Sequence, residues 1–240
     1  MAISTSKPEA FPVTGVGIYT LPEAARIIQT NTMRVRRWLL GYRFPTDAGT
    51  GESPPVFAAQ LPQLDGHQAI GFLDLIELLF IKAFRTYGVT LQTIRSAATE
   101  AARRWGVSHP FCMKRFATDG RSIFATLRDE AGEEHLLELT RSQFGFMSVL
   151  APYLKQLDYG LPGDVRRWWP LGKSKPVFLD PAISFGKPVV RPHNVPTEAI
   201  FHAIDAGETE NEVSGWYNLP IQAVRAALEF EKKRQKNQVA

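Results

Sequence analysis

The stretch from Ile70 to Phe84 constrains the fold most, because it is apolar almost throughout and is broken only by Asp74, Glu77 and Lys82. A helix crossing a bilayer needs about 20 apolar residues, so this run is too short and too charged to span one. It reads as a buried helix, extending over Phe72 to about Tyr87. Thr90 to Trp105 predicts a second helix after the break at Gly88. The chain has 240 residues, of which 44% are hydrophobic, enough for one to three domains with real cores. Cys112 is the only cysteine, which excludes an internal disulfide and fits a reducing compartment. The first twenty residues hold Pro8, Pro12, Gly15 and Gly17 but no apolar core of signal-peptide length, so the expected location is cytoplasmic.

Residues 1–18 read as a loose arm rich in Pro, Gly, Ser and Thr. Thr20-Leu-Pro-Glu23 has capping-box spacing and opens a helix running to about Ile28. Thr30-Asn31-Thr32 supplies a turn and a fresh N-cap, from which a second helix is predicted to reach Tyr42. Residues 44–66 are dense in proline and glycine and predict a loop with room for a short hairpin. Phe116–Thr118, Ser122–Arg128 and His135–Leu139 read as strands parted by Asp119-Gly120 and Ala131-Gly132, a small antiparallel meander. Helix returns over 142–160. Two short strands, Val177–Leu179 and Pro188–Val190, lie in the proline-rich stretch that follows, and 197–206, 209–216 and 219–235 predict three helices.

Chemistry concentrates in the segment from Thr32 to Tyr42. Val35, Trp38, Leu39 and Tyr42 recur at helical spacing and are expected to pack on the Leu21–Ile28 helix. Arg34, Arg36 and Arg37 project from the remaining arc, Arg43 follows the helix, and Arg26 lies on the helix before it. No acidic residue occurs between Ala24 and Thr46, so nothing in that stretch neutralises the five arginines. A helix-turn-helix sets its second helix in the major groove, where arginine bonds guanine edges or holds phosphates. Arg26, Thr32, Arg34, Arg36, Arg37 and Arg43 are therefore the expected DNA contacts. The net charge of +4 permits a polyanionic partner without requiring one.

The order of parts from 18 to 105 resembles the winged helix-turn-helix of the MerR family. Tyr19-Thr-Leu-Pro-Glu-Ala-Ala25 stands where that family opens its first helix, and Gly88-Val-Thr-Leu-Gln-Thr-Ile94 is similar to its turn between long helices. The cysteine ligands of its metal sensors are missing. Phe178-Leu-Asp-Pro-Ala-Ile-Ser-Phe-Gly-Lys-Pro-Val-Val190, Val195-Pro-Thr-Glu198 and Leu219-Pro-Ile-Gln-Ala-Val-Arg-Ala-Ala-Leu228 resemble the domain of unknown function 433 family. The family's usual Arg-Gly-Thr-Arg segment is here Arg191-Pro-His-Asn194. Taken together, the chain resembles the longer VapB-type antitoxins. That resemblance implies repression of its own operon and neutralisation of a PIN-domain ribonuclease toxin.

By its own residues the C-terminal part is ambiguous. Ile200, Ala203, Ile204, Val213, Trp216, Ile221, Val224 and Leu228 make a three-helix core. Glu198, Asp205, Glu208, Glu210 and Glu212 make its first two helices acidic, which disfavours a phosphate backbone. Gln222, Arg225, Lys232 and Lys233 are the residues there that suit DNA or a partner. The resemblance implies a toxin contact through a cation inserted among carboxylates, and Arg166 and Arg167 beside Trp168 and Trp169 are the expected place, with the Lys232–Lys236 tail as the other.

His109 and Cys112 have ligand spacing without a second pair, so no metal and no cofactor is expected. Nucleophile-elbow, P-loop and dinucleotide fingerprints are missing, and no enzymatic activity is expected. The fold class is mainly α with a small β component. The expected domains are the arm, a MerR-like winged helix-turn-helix over 19–108, a central α+β segment and linker over 109–175, and a C-terminal three-helix helix-turn-helix bundle over 176–240. The partners are operator DNA, a PIN-domain toxin and a second copy of the chain, since two-fold operators need two copies. A membrane is not among them. The alternatives are a free-standing MerR-like regulator with a small-molecule effector, and an interaction module whose basic helix binds an acidic protein.

Overall fold

The computed structural model describes residues 15–47, 49–64, 66–131, 143–161 and 163–235. Among them the chain is mainly helical with small sheets, and no helix is long and apolar enough to cross a membrane.

Helix α1 (Leu21–Ile27) starts where the Thr20 hydroxyl accepts the Glu23 N–H at 3.2 Å, and Pro22 sits in its first turn, where a missing N–H costs nothing. Helix α2 (Thr32–Leu40) is capped by Asn31, whose side-chain oxygen accepts the Met33 N–H at 2.7 Å. The expected run to Tyr42 is corrected: α2 stops at Leu40, because Gly41 turns the chain at φ 73°. A Cβ at Gly41 would collide with the Ser53 carbonyl. Tyr42 opens strand β2 (Tyr42–Thr46), which pairs antiparallel with β3 (Gly49–Ser53). The expected hairpin is therefore present. Strand β1 (Tyr19–Thr20), β4 (Gln63–Leu64) and β5 (His67–Ile70) form a small sheet in the order β1-β5-β4.

The apolar run becomes helix α3 (Phe72–Thr86), with Phe72, Leu75, Ile76, Leu78, Phe80, Ile81 and Phe84 all buried. The three charged residues that interrupt the apolar run each have a task. Asp74 caps the helix by accepting the Gly71 N–H at 2.8 Å, takes the Gln60 N–H at 3.0 Å, and lies 2.7 Å from His109 Nε2. Glu77 accepts the Phe111 N–H at 2.8 Å and so fixes the short turn at Pro110–Cys112. Lys82 donates to the Ile28 carbonyl at 2.8 Å, satisfying a backbone acceptor at the C-terminal end of α1. Helix α4 (Leu91–Trp105) follows, capped by Thr90.

The meander is overturned. Phe116–Thr118 and Ser122–Arg128 lie within one helix, α5 (Phe116–Ala131), which runs straight through Asp119-Gly120. Phe116, Ile123 and Phe124 are buried at helical spacing, and the rings of Phe116 and Phe124 pack on Phe84, with Phe116 also against Phe111. That packing outweighs the local turn signal. His135–Leu139 falls outside the described residues. The expected helix over 142–160 is shorter: α6 (Gln143–Leu154) gives way to β6 (Leu157–Tyr159), which pairs with β7 (Val165–Trp168).

Beyond β7, strands β8 (Val177–Phe178), β9 (Val189–Val190) and β10 (Val195–Pro196) form an antiparallel sheet in the order β10-β9-β8. Helices α7 (Thr197–Asp205), α8 (Glu210–Trp216) and α9 (Ile221–Gln235) complete the predicted trio. One core gathers residues from Tyr19 to Leu179 and a second from Val177 to Phe230. They meet at a seam where the Tyr19 hydroxyl donates to the Gly186 carbonyl at 2.6 Å and the Ile18 N–H to the Phe185 carbonyl at 3.0 Å.

Candidate nucleic-acid interface

Helix α2 buries Val35, Trp38 and Leu39 against its neighbours and leaves Thr32, Met33, Arg34, Arg36, Arg37 and Leu40 exposed. The sequence dictates this division, since residues 35, 38 and 39 share one helical face. Among the described residues, Arg34, Arg36 and Arg37 have no carboxylate partner. Arg37 lies over the Tyr42 ring, 5.2 Å from its centroid, so its guanidinium is positioned without being neutralised. Arg26 is half-buried in the last turn of α1. Arg43 is exposed on β2, where the ladder sets it opposite Glu52. That carboxylate approaches the basic region through strand pairing.

The β2–β3 hairpin projects beside α2, with nearly all of β2 and the tip of β3 exposed. Its base is held from two directions. The Val56 N–H donates to the Trp38 carbonyl at 2.9 Å, tying the strand exit to α2. Arg95 on α4 donates to Ser53 Oγ at 3.0 Å and to the carbonyls of Pro54 at 2.7 Å and Pro55 at 3.1 Å. Burial pulls the Arg95 pKa down, yet three oxygen acceptors surround a group that stays charged near neutrality. Sequence reasoning misses Arg95 because its partners lie 40 residues away. It misses Lys82 and Arg85 for a like reason, since both reach the α2 neighbourhood only through the fold. The arrangement can place a short exposed helix in a groove while an adjacent hairpin follows the backbone.

The remaining expected residues lie elsewhere. Gln222 and Arg225 are exposed on α9, and Arg225 Nε lies 2.7 Å from Glu210, which removes it from the set of uncompensated cations. Lys232 is exposed, and Lys233 pairs with Glu229 at 2.9 Å. Arg234, in the same basic tail, is buried and bonds both Glu231 oxygens at 2.8 Å. Arg166 is exposed on β7, whereas Arg167 is tied to Asp180 at 2.8 Å and stacked on Phe178.

Trp168 and Trp169 are only 3% and 4% exposed, which leaves little of either ring for a toxin contact. Their indole N–H groups are bonded within the chain, to Gln156 at 3.0 Å and Asp158 at 2.6 Å. Trp168, at the end of β7, packs in the first core, and Trp169, just past the strand, joins a cluster with Phe178 and Val189. They fasten the seam.

Residues 17–98 match the family described as "Putative DNA-binding HTH domain", and residues 177–230 match "Protein of unknown function (DUF433)". Over 226 residues the chain is 26% identical to "Putative antitoxin VapB45" of Mycobacterium tuberculosis (strain ATCC 25618 / H37Rv), covering 89% of this chain and 93% of that one. A crystal structure of Rv2018 from Mycobacterium tuberculosis superposes with a TM-score of 0.69 at 24% identity, over 90% of this chain and 98% of that one. At that identity the likeness speaks to the fold. The resemblance carried by the C-terminal motif and the likeness to an antitoxin of the VapB type both hold.

Proposed function

We propose that this chain is a DNA-binding antitoxin: as a homodimer it represses its own operon through α2 and the adjacent hairpin, and it neutralises a PIN-type ribonuclease. The observation that carries the DNA reading is the exposed trio Arg34, Arg36 and Arg37, uncompensated on a capped helix that packs on α1 beside a braced hairpin. The family match over 17–98 and the likeness to a relative described as an antitoxin support it. Two copies related by a two-fold axis would place their α2 helices about 34 Å apart, one turn of duplex.

The test is binding to the DNA upstream of its own gene. Replacing Arg34, Arg36 and Arg37 together with alanine removes no core contact, so the fold is expected to persist while specific binding is lost. Each base-reading arginine is expected to contribute about 1–3 kcal/mol, and each phosphate contact to lower the salt slope by about 1. Unchanged operator affinity in the triple variant refutes the assignment.

For the toxin, the exposed Arg166 on β7 is the cation suited to enter a carboxylate-lined metal site, with Lys232 the second candidate. Arg167 is committed to Asp180. Co-expression with the product of the adjacent gene is expected to yield a complex without ribonuclease activity, and Arg166→Ala to restore that activity. If Arg166→Ala and Lys232→Ala both leave the toxin silent, inhibition runs through another surface.

A further inference from the structure

Beside α2 lies a cleft of about 760 Å³, within the range of small-ligand sites. Its charge is one-sided. Arg34 and Arg37 approach it from α2, Lys82 and Arg85 from α3, and no carboxylate lines it. Lys82 is half-buried, and burial holds its pKa below the usual lysine range. Lys82 donates to the Ile28 carbonyl, and Arg85 to the Val89 carbonyl at 2.7 Å. Neither bond neutralises charge, and each leaves N–H donors to spare. Trp38, Tyr42 and Met33 form the apolar part of the lining, and Asn31 and Thr30 supply polar groups at the start of α2.

Four cations converging on a concave, partly apolar space suit a discrete anion better than the outer face of a duplex, which meets convex surface. We infer that this cleft binds a small phosphorylated ligand of nucleotide size, its phosphates held between Arg34 and Arg37 on one wall and Lys82 and Arg85 on the other. Because the first two arginines belong to the exposed face of α2, such a ligand competes with DNA. That regulatory consequence rests on the proposed function, whereas binding itself does not.

The experiment is calorimetric titration of the full chain, without magnesium, with inorganic phosphate, inorganic pyrophosphate and ATP. ATP is expected to bind with a Kd below about 1 mM, pyrophosphate more weakly, and phosphate weakest. Arg85→Gln and Lys82→Gln are each expected to weaken ATP by about tenfold. Arg85 is exposed, so its variant is expected to melt like the parent, which keeps the result interpretable even if Lys82→Gln loosens α1. ATP is further expected to displace a labelled operator duplex. The inference is overturned if no probe binds up to about 10 mM, if both variants bind ATP like the parent, or if phosphate binds as tightly as ATP. It is equally overturned if Arg85→Gln weakens only duplex binding, since the cleft then serves the DNA backbone. ATP binding without displacement of duplex removes the regulatory half. A chain that binds no duplex at all counts against the proposed function, while the calorimetric arm still decides the cleft.

Discussion

Glu77 shows how much one residue can hold. It is fully buried on α3, one oxygen accepts the Phe111 N–H, and the other, Oε2, has no hydrogen-bond partner among the described residues. Burial pushes its pKa well above the usual carboxylate value of 4.5. The folded chain therefore keeps a proton that the unfolded chain releases as pH rises through about 4.5. Between that value and the raised folded pKa, the unfolded state binds fewer protons, so stability falls as pH rises. Glu77→Gln keeps the acceptor for Phe111 and removes the titration. Thermal melts across pH 4 to 8, a span of about four units, are expected to show the variant gaining on the parent as pH increases. Parallel curves would show that Glu77 is not protonated in the fold. Tyr19 belongs to the same scale: Tyr19→Phe loses the bond to Gly186 and is expected to cost about 1 kcal/mol in chemical denaturation.

Among the elements, the β2–β3 hairpin depends most on a distant side chain. Arg95→Ala removes three hydrogen bonds at its base, of which only part shows in stability, since each nets about 0.5–1.5 kcal/mol and water replaces some. The larger expected effect is on DNA. Five extended residues reach about 17 Å, so a tilt of about 10° at the base moves the tip by about 3 Å. Operator affinity is expected to fall while the melting temperature changes little, and hydrogen exchange over 42–53 is expected to quicken. Protection equal to the parent's would mean that Arg95 does not brace the hairpin.

Elements with local causes were legible in the sequence: the Thr20 and Asn31 caps, the 35/38/39 stripe, the apolar run of α3 and the three C-terminal helices. Helix α5 was not, because Asp119-Gly120 carries a turn signal and only the rings of Phe84 and Phe111 reveal which face is buried. The end of α2 at Gly41 depends on the approach of Ser53 from the paired strand. The exposed arginines of the candidate interface could be read from spacing, whereas Lys82, Arg85 and Arg95 reach it from helices distant in sequence.

At the scale of the whole molecule, the two cores share their border. Leu179 lies in the first core although it follows β8, and the Trp168–Leu179 bridge and the Arg167–Asp180 pair cross the same line. A chain ending at Leu171 would leave Arg167 without its carboxylate and expose Trp168. It is expected to melt well below the full chain, and an unchanged melting temperature would show that the N-terminal part stands alone. The bond from Tyr19 to Gly186 spans 167 positions. A ribosome adding roughly 5–20 residues per second needs about ten to thirty seconds to cover that distance. During this interval β1 and the helices that follow it are already made, while the carbonyl that receives the Tyr19 hydroxyl has yet to be synthesised. The helix-turn-helix thus completes its attachment only after Gly186 has been made, so a product terminated before that residue lacks the Tyr19–Gly186 bond that joins it to the rest.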